Sequence, residues 1–238
     1  MIQVSKLTRR FGLKTVLKGV DFEAADGEFV ALLGPNGAGK TTFLRILATL
    51  ISPTFGEVNL AGYRLPEQAA VVRRHLGMLS HSPLLYENLT AEENLRFYGR
   101  LYGVIDLGRR ADEMLSLVGL EKLRGELVRT FSRGMQQRLA IARALMHDPN
   151  ILLFDEPYTG LDQDASARLD QILASVAAEG RTVVMASHDL ARAAQLATRF
   201  DVLSHGRIAA STNRSKMGGK DLLAFYSEAI GVEAAHAG

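Results

Sequence analysis

The segment Gly34-Pro35-Asn36-Gly37-Ala38-Gly39-Lys40-Thr41 constrains the fold of this chain more than any other stretch. It satisfies the pattern G-x-x-x-x-G-K-[ST] in full, and its setting is the one the pattern needs. Before it lies the apolar run Phe29 to Leu33, of strand length, and after it Thr41 to Leu50 reads as a helix. A strand that turns through glycines into a helix leaves backbone N–H groups converging at the helix N-terminus, where the peptide dipoles favour an anion. Residues 34 to 42, including Pro35, Asn36, Ala38 and Thr42, therefore form a candidate phosphate cradle. Lys40 would reach the β- and γ-phosphates of a nucleotide, and the Thr41 hydroxyl would ligate Mg²⁺.

A second segment completes that chemistry. Ile151 to Phe154 is a buried-strand run that ends in Asp155 and Glu156. The carboxyl edge of a parallel sheet is where α/β ligands bind, so two carboxylates there face the phosphate cradle. Asp155 would hold Mg²⁺ through water, and Glu156 would orient or deprotonate the attacking water. Alone, an apolar run followed by Asp-Glu is an ordinary strand end; coupled to the cradle, it reads as catalytic.

Strands are expected at Val4–Leu7, Val20–Glu23, Phe29–Leu33, Glu57–Leu60, Leu76–Leu79, Ile151–Phe154 and Thr182–Ala186. Helical patterns at Ala91–Tyr102, Arg109–Val118 and Gly134–Met146 follow one another without a strand, which predicts a helical insertion over 82–148. Gln163–Ala178 and a segment from Asp189 are helical again. The alternation implies an α/β fold with helices on both faces of the sheet. The tail is polar after Ser211 until Leu222–Ile230, a short helix. With no Cys in 238 residues, disulfides and cysteine-ligated metal are excluded. A formal charge of +2 with scattered Arg gives no nucleic-acid surface. No apolar run approaches the 18 or so residues a membrane span needs, so a transport path would belong to other polypeptides.

Three further motifs carry a family resemblance. Phe131-Ser132-Arg133-Gly134-Met135-Gln136-Gln137-Arg138 is similar to the ABC signature, Tyr158-Thr159-Gly160-Leu161-Asp162 to the D-loop, and Ser187-His188-Asp189 to the H-loop. In order and spacing the chain resembles the ABC ATPase family over about residues 1–210. The resemblance implies a P-loop NTPase core with a mixed sheet and flanking helices, an N-terminal antiparallel β-subdomain, the 82–148 helical subdomain, and a 211–238 tail. It also implies that His188 contacts the γ-phosphate and that Phe11 stacks on adenine. Ser132 and Gly134 would bind the γ-phosphate of ATP held by a second protomer, with Asp162 at the interface of a head-to-tail homodimer. Integral-membrane transporter subunits would be the partners, and the chain would be cytoplasmic, peripheral on the inner face of the cell membrane.

The chain departs from the family pattern at three places. His81 stands where the family has its Q-loop glutamine, Arg133 where it has the first signature glycine, and Met135 where it has the signature glutamine. His75, His147, His205 and His236 show no metal-ligand spacing. Leu79-Ser80-His81, the Phe131–Met135 segment, the stretch from Leu85 to Leu95 and the chain's brevity resemble the subgroup tied to haem export and cytochrome c maturation. The rival readings are the ATPase of a drug or lipid exporter, and a soluble ABC ATPase such as one for iron–sulfur cluster assembly. A nucleotide-binding module without turnover is disfavoured by the intact Lys40, Asp155, Glu156 and His188.

Overall fold

The computed structural model describes residues 1–80, 82–217 and 221–236, so His81 lies outside the described residues. A hairpin of β1 (Ile2–Phe11) and β2 (Lys14–Ala24) opens the chain, and β3 (Phe29–Leu33) runs into α1 (Lys40–Leu47). Strands β4 (Phe55–Leu60) and β5 (Tyr63–Leu65), the short α2 (Ala69–Val72) and β6 (Leu76–Leu79) follow. Next come α3 (Ala91–Leu101), α4 (Leu107–Leu117) and α5 (Arg133–Leu145), then β7 (Ile151–Asp155), α6 (Gln163–Ala178), β8 (Thr182–Ala186) and α7 (Leu190–Leu196). The hairpin of β9 (Arg199–Ser204) and β10 (Arg207–Asn213) and the helix α8 (Leu222–His236) complete the described elements.

Two sheets result. An antiparallel sheet has the order β2-β1-β4-β5, and a six-stranded sheet has the order β10-β9-β3-β8-β7-β6. In the larger sheet β9, β3, β8, β7 and β6 are parallel, while β10 pairs antiparallel with β9, making the sheet mixed.

The continuous apolar runs of β3, β7 and β8 follow from burial on both faces. Along each, alternate residues enter different cores. Ala31, Leu33, Leu152, Phe154, Val183 and Met185 pack with α3 to α7. Val30, Leu32, Ile151, Leu153, Val184 and Ala186 pack with α1 and the antiparallel sheet. On α1, Phe43, Leu44, Ile46 and Leu47 are fully buried, each contributing about 1.5–3 kcal/mol. That face clamps α1 beneath the sheet edge and fixes where its N-terminus points.

The predicted strands and helices are present, with β1, β2 and α8 longer and α1 shorter than the sequence suggests. The β9–β10 hairpin and β5 were not expected. The first residues of the 211–238 stretch continue β10, and α8 buries Leu222 and Ala229 in the core shared by α3 to α7. Among the described residues, no helix is long and apolar enough to cross a membrane.

Candidate functional site

Helices α3 to α7 each begin with a side-chain cap: Thr90, Asp106, Ser132, Asp162 and Asp189 accept a backbone N–H of the first turn. Helix α1 has none; its N-cap is Gly39. Its first-turn N–H groups are the ones a helix cannot satisfy internally, so they are left to a ligand. The preceding turn is fixed by Gly34, whose φ is 150° and at which an added Cβ would lie 2.1 Å from the Leu203 carbonyl oxygen. Only glycine fits there. The close approach seats the loop against the end of β9.

Lys40, 6 % exposed, folds back over the loop. Its Nζ donates to the Gly34 carbonyl at 2.6 Å and to the Pro35 carbonyl at 3.3 Å, and lies 3.8 Å from Glu156 Oε1. Burial pushes the ammonium below its usual range, and Glu156 and Asp155 pull it back up.

Asp155 ends β7, buried at the sheet edge. It accepts a hydrogen bond from Thr41 Oγ1 at 3.0 Å. Two hard oxygen donors thus already converge beside the cradle. That suits Mg²⁺, which takes one or two protein oxygens and fills its octahedron with waters and phosphates. A larger cage is not on offer: among the described residues no group of three or more His, Cys, Asp or Glu could hold a metal.

Glu156 follows with φ at +51°, a left-handed backbone rarely adopted outside glycine. The conformation costs about 1–2 kcal/mol. It is held by the Glu156 N–H donating to the Ala186 carbonyl at 3.0 Å. The turn aims the carboxylate at Lys40 on one side and, on the other, at His188 Nδ1, 2.7 Å from Oε2. Nothing in the residue types betrays this strain, which is why the sequence locates Glu156 without its geometry.

The cradle opens onto a cavity of about 490 Å³ lined by Pro35 to Thr42 and Glu156. Its far wall is Lys14, Thr15, Val16 and Lys18 of β2 with His205 and Gly206 of the β9–β10 turn. Sequence reasoning missed this wall, because it depends on β2 docking against that turn: Lys18 N–H donates to the Gly206 carbonyl at 2.8 Å. Lysines near the first strand were the only signal. Phe11 does not line this cavity; it is 46 % exposed, with the Arg9 guanidinium 4.4 Å from its ring centre.

Ser132, Gly134 and Asp162 do not line the cavity either. Ser132 and Asp162 cap α5 and α6, and an added Cβ at Gly134 would lie 2.8 Å from the Ala165 Cβ. Two helix N-termini therefore sit side by side, and Asp162 lines a second cavity together with Glu156 and His188.

The glycine turn into α1, the Thr41–Asp155 pair and the Glu156–His188 pair are the parts that hydrolysis of a nucleoside triphosphate requires. The ABC transporter family profile matches residues 17–159. The chain is 33 % identical over 229 residues to the linearmycin resistance ATP-binding protein LnrL of Bacillus subtilis (strain 168), covering 94 % of this chain and 74 % of LnrL. It is 38 % identical over 208 residues to the Nod factor export ATP-binding protein I of Paraburkholderia xenovorans (strain LB400), covering 87 % and 68 %. Among solved structures, a post-hydrolysis dimer of the ATP-binding cassette MJ0796, bound to ADP and Pi, superposes with a TM-score of 0.81 at 30 % identity. The match covers 90 % of this chain and 99 % of that one. The chain belongs to the ABC transporter ATP-binding family. It is an ABC ATPase with the P-loop NTPase fold of that family, of the kind that serves as a transporter's ATP-binding subunit.

Proposed function

We propose that this chain powers an exporter of drug-like or antibiotic-like small molecules, by hydrolysing MgATP between two head-to-tail copies of itself. The observation that carries the hydrolytic part is the Glu156 carboxylate, held between Lys40 Nζ at 3.8 Å and His188 Nδ1 at 2.7 Å. The backbone N–H groups at the start of α1 bind the phosphates, and Lys40 neutralises the β/γ oxygens. Thr41 and Asp155 would hold Mg²⁺, which would supply positive charge against the phosphates. Glu156 accepts a proton from the attacking water as its oxygen bonds to the γ-phosphorus and ADP departs. His188 orients that water and the γ-phosphate. Phe11, exposed at the end of β1, would stack on adenine.

Ser132 and Gly134, at the N-terminus of α5, do not line this half-site's cavity. In a head-to-tail dimer Ser132 and Gly134 close over the partner's ATP and Asp162 lies at the contact. That the MJ0796 cassette was solved as a dimer supports pairing of two copies. An exposed apolar face on the helical subdomain, formed by Leu84, Tyr86, Phe97, Leu101 and Tyr102, suits membrane subunits better than water. It supports a place on the inner face of the cell membrane, and residues 1–210 with their 82–148 insertion act as one ATPase domain.

The relatives named above carry antibiotic-resistance and Nod factor export names, which favours drug-type export over haem export. Haem export keeps the support of the Leu79-Ser80-His81 and Phe131–Met135 resemblance. One experiment separates them. Cells lacking the chain are complemented with the wild type, Lys40→Ala or Glu156→Gln, and both antibiotic susceptibility and holocytochrome c are measured. We expect susceptibility to rise with either variant while holocytochrome c stays normal. The opposite pattern would reverse the two readings. Glu156→Gln turning over at the wild-type rate would remove Glu156 as the base.

A further inference from the structure

Behind His188 lies a polar cluster that the hydrolytic reading does not use. Tyr158, two residues beyond Glu156, donates its hydroxyl to Asp170 Oδ1 on α6 at 2.6 Å. Burial and the Asp170 carboxylate push this phenol above its ordinary range, so the donor proton stays in place. Arg192 on α7 pairs with the other Asp170 oxygen. Its Nε lies 3.2 Å from Asp189 Oδ2, and its guanidinium sits 4.8 Å from the Tyr158 ring centre. Asp189 in turn accepts the Arg192 N–H at 3.1 Å, capping α7, while its own N–H donates to Ser187 Oγ at 3.0 Å.

Arg192 therefore touches the neighbour of His188 with one edge and the Tyr158–Asp170 pair with the other. The Arg192 and Asp170 side chains are 22 % and 23 % exposed, which sets the pair apart from freely solvated surface ion pairs. Asp170 is a firm anchor, because Leu169 and Leu173 beside it on α6 are buried in the core. The planar fork of Arg suits two carboxylates at once, whereas Lys offers a point charge. By contrast, α7 is only seven residues long, too short to hold its own N-terminal turn without such ties.

We propose that Arg192 is a positioning residue for hydrolysis. It locks the first turn of α7, and with it His188, to the 157–162 loop through Asp170 and Tyr158. Displacement of that loop by a second protomer then changes how His188 meets Glu156. The proposal rests on the hydrolytic role given above to Glu156 and His188.

The test is MgATP turnover by the purified full chain, with Arg192→Gln, Arg192→Lys and Tyr158→Phe made in the wild type and in His188→Ala. Single-turnover conditions read the slow backgrounds. In the wild type, Arg192→Gln should lower kcat about tenfold with KM within about twofold. Arg192→Lys should recover part of the loss, and Tyr158→Phe should lose about threefold. In His188→Ala, Arg192→Gln should change the rate by less than about twofold, since the residue it positions is gone. An equal tenfold loss in both backgrounds would show a merely structural contact and overturn the proposal. So would an unchanged kcat beside a lowered melting midpoint. Should Arg192→Gln fail to fold, Tyr158→Phe removes a single hydroxyl and carries the same comparison. Wild-type turnover no faster than that of Glu156→Gln would instead defeat the hydrolytic reading itself.

Discussion

His147 makes folding stability depend on pH in a way that can be worked from its surroundings. It lies just beyond α5, with its ring stacked 3.7 Å from that of Tyr102. Its Nε2 is 3.1 Å from the Leu76 carbonyl oxygen, which can only accept, so Nε2 carries the proton. Nδ1 is buried and has no hydrogen-bond partner among the described residues. Burial lowers the pKa from 6.5 to about 4; the Leu76 carbonyl opposes this and the Arg143 cation adds to it. A base with a depressed folded pKa stays neutral in the native state, so the unfolded chain takes up the proton first as pH falls. Stability tied to His147 is thus intact above pH 6.5 and lost progressively down to pH 4. Integrating across that shift gives about 2 kcal/mol lost between pH 7 and pH 5, and about 3 kcal/mol in full. The assay is urea unfolding of the wild type and His147→Gln at both pH values. Gln keeps a donor for Leu76 and removes the titration. The wild type should lose about 2 kcal/mol more than the variant on going to pH 5. Equal losses in the two proteins would refute the reasoning.

Two further outcomes follow from the same geometry. Gly134→Ala puts a methyl 2.8 Å from the Ala165 Cβ, so α5 and α6 must separate; urea unfolding should show a loss of about 1–3 kcal/mol, and unchanged stability would contradict the packing. Phe11→Ala should raise KM for ATP about tenfold with little change in kcat, read in steady-state turnover, and an unchanged KM would end the adenine-stacking role.

The cradle, the buried strands and the carboxylate pair were legible in the sequence because each chemical task admits few residue types. Glycine at 34 and 39, lysine at 40 and a carboxylate after an apolar run cannot be exchanged freely. The β9–β10 hairpin was not legible for the opposite reason. Asp201 sits in the middle of β9 yet is 2 % exposed, its charge met by Arg199 and Ser211. A charged residue at a core position hides the strand's period. The connecting turn uses His205 at φ +45° and Gly206 at φ +82°, a pair of left-handed residues usually announced by Asn-Gly or Asp-Gly. The far wall of the cavity went with that hairpin. The capping duties of Ser132 and Asp162 agree with their residue type, but which helices they bring together is a matter of tertiary packing.

The inward fold of Lys40 makes its ammonium the meeting point of two segments. Its ammonium is already shared among the Gly34 and Pro35 carbonyls and the Glu156 carboxylate. One buried cation thus ties the strand-to-helix turn to the residue that follows β7. Removing the Lys40 side chain therefore takes away a link between two segments as well as a charge, and the loss falls on the loop and on Glu156 together.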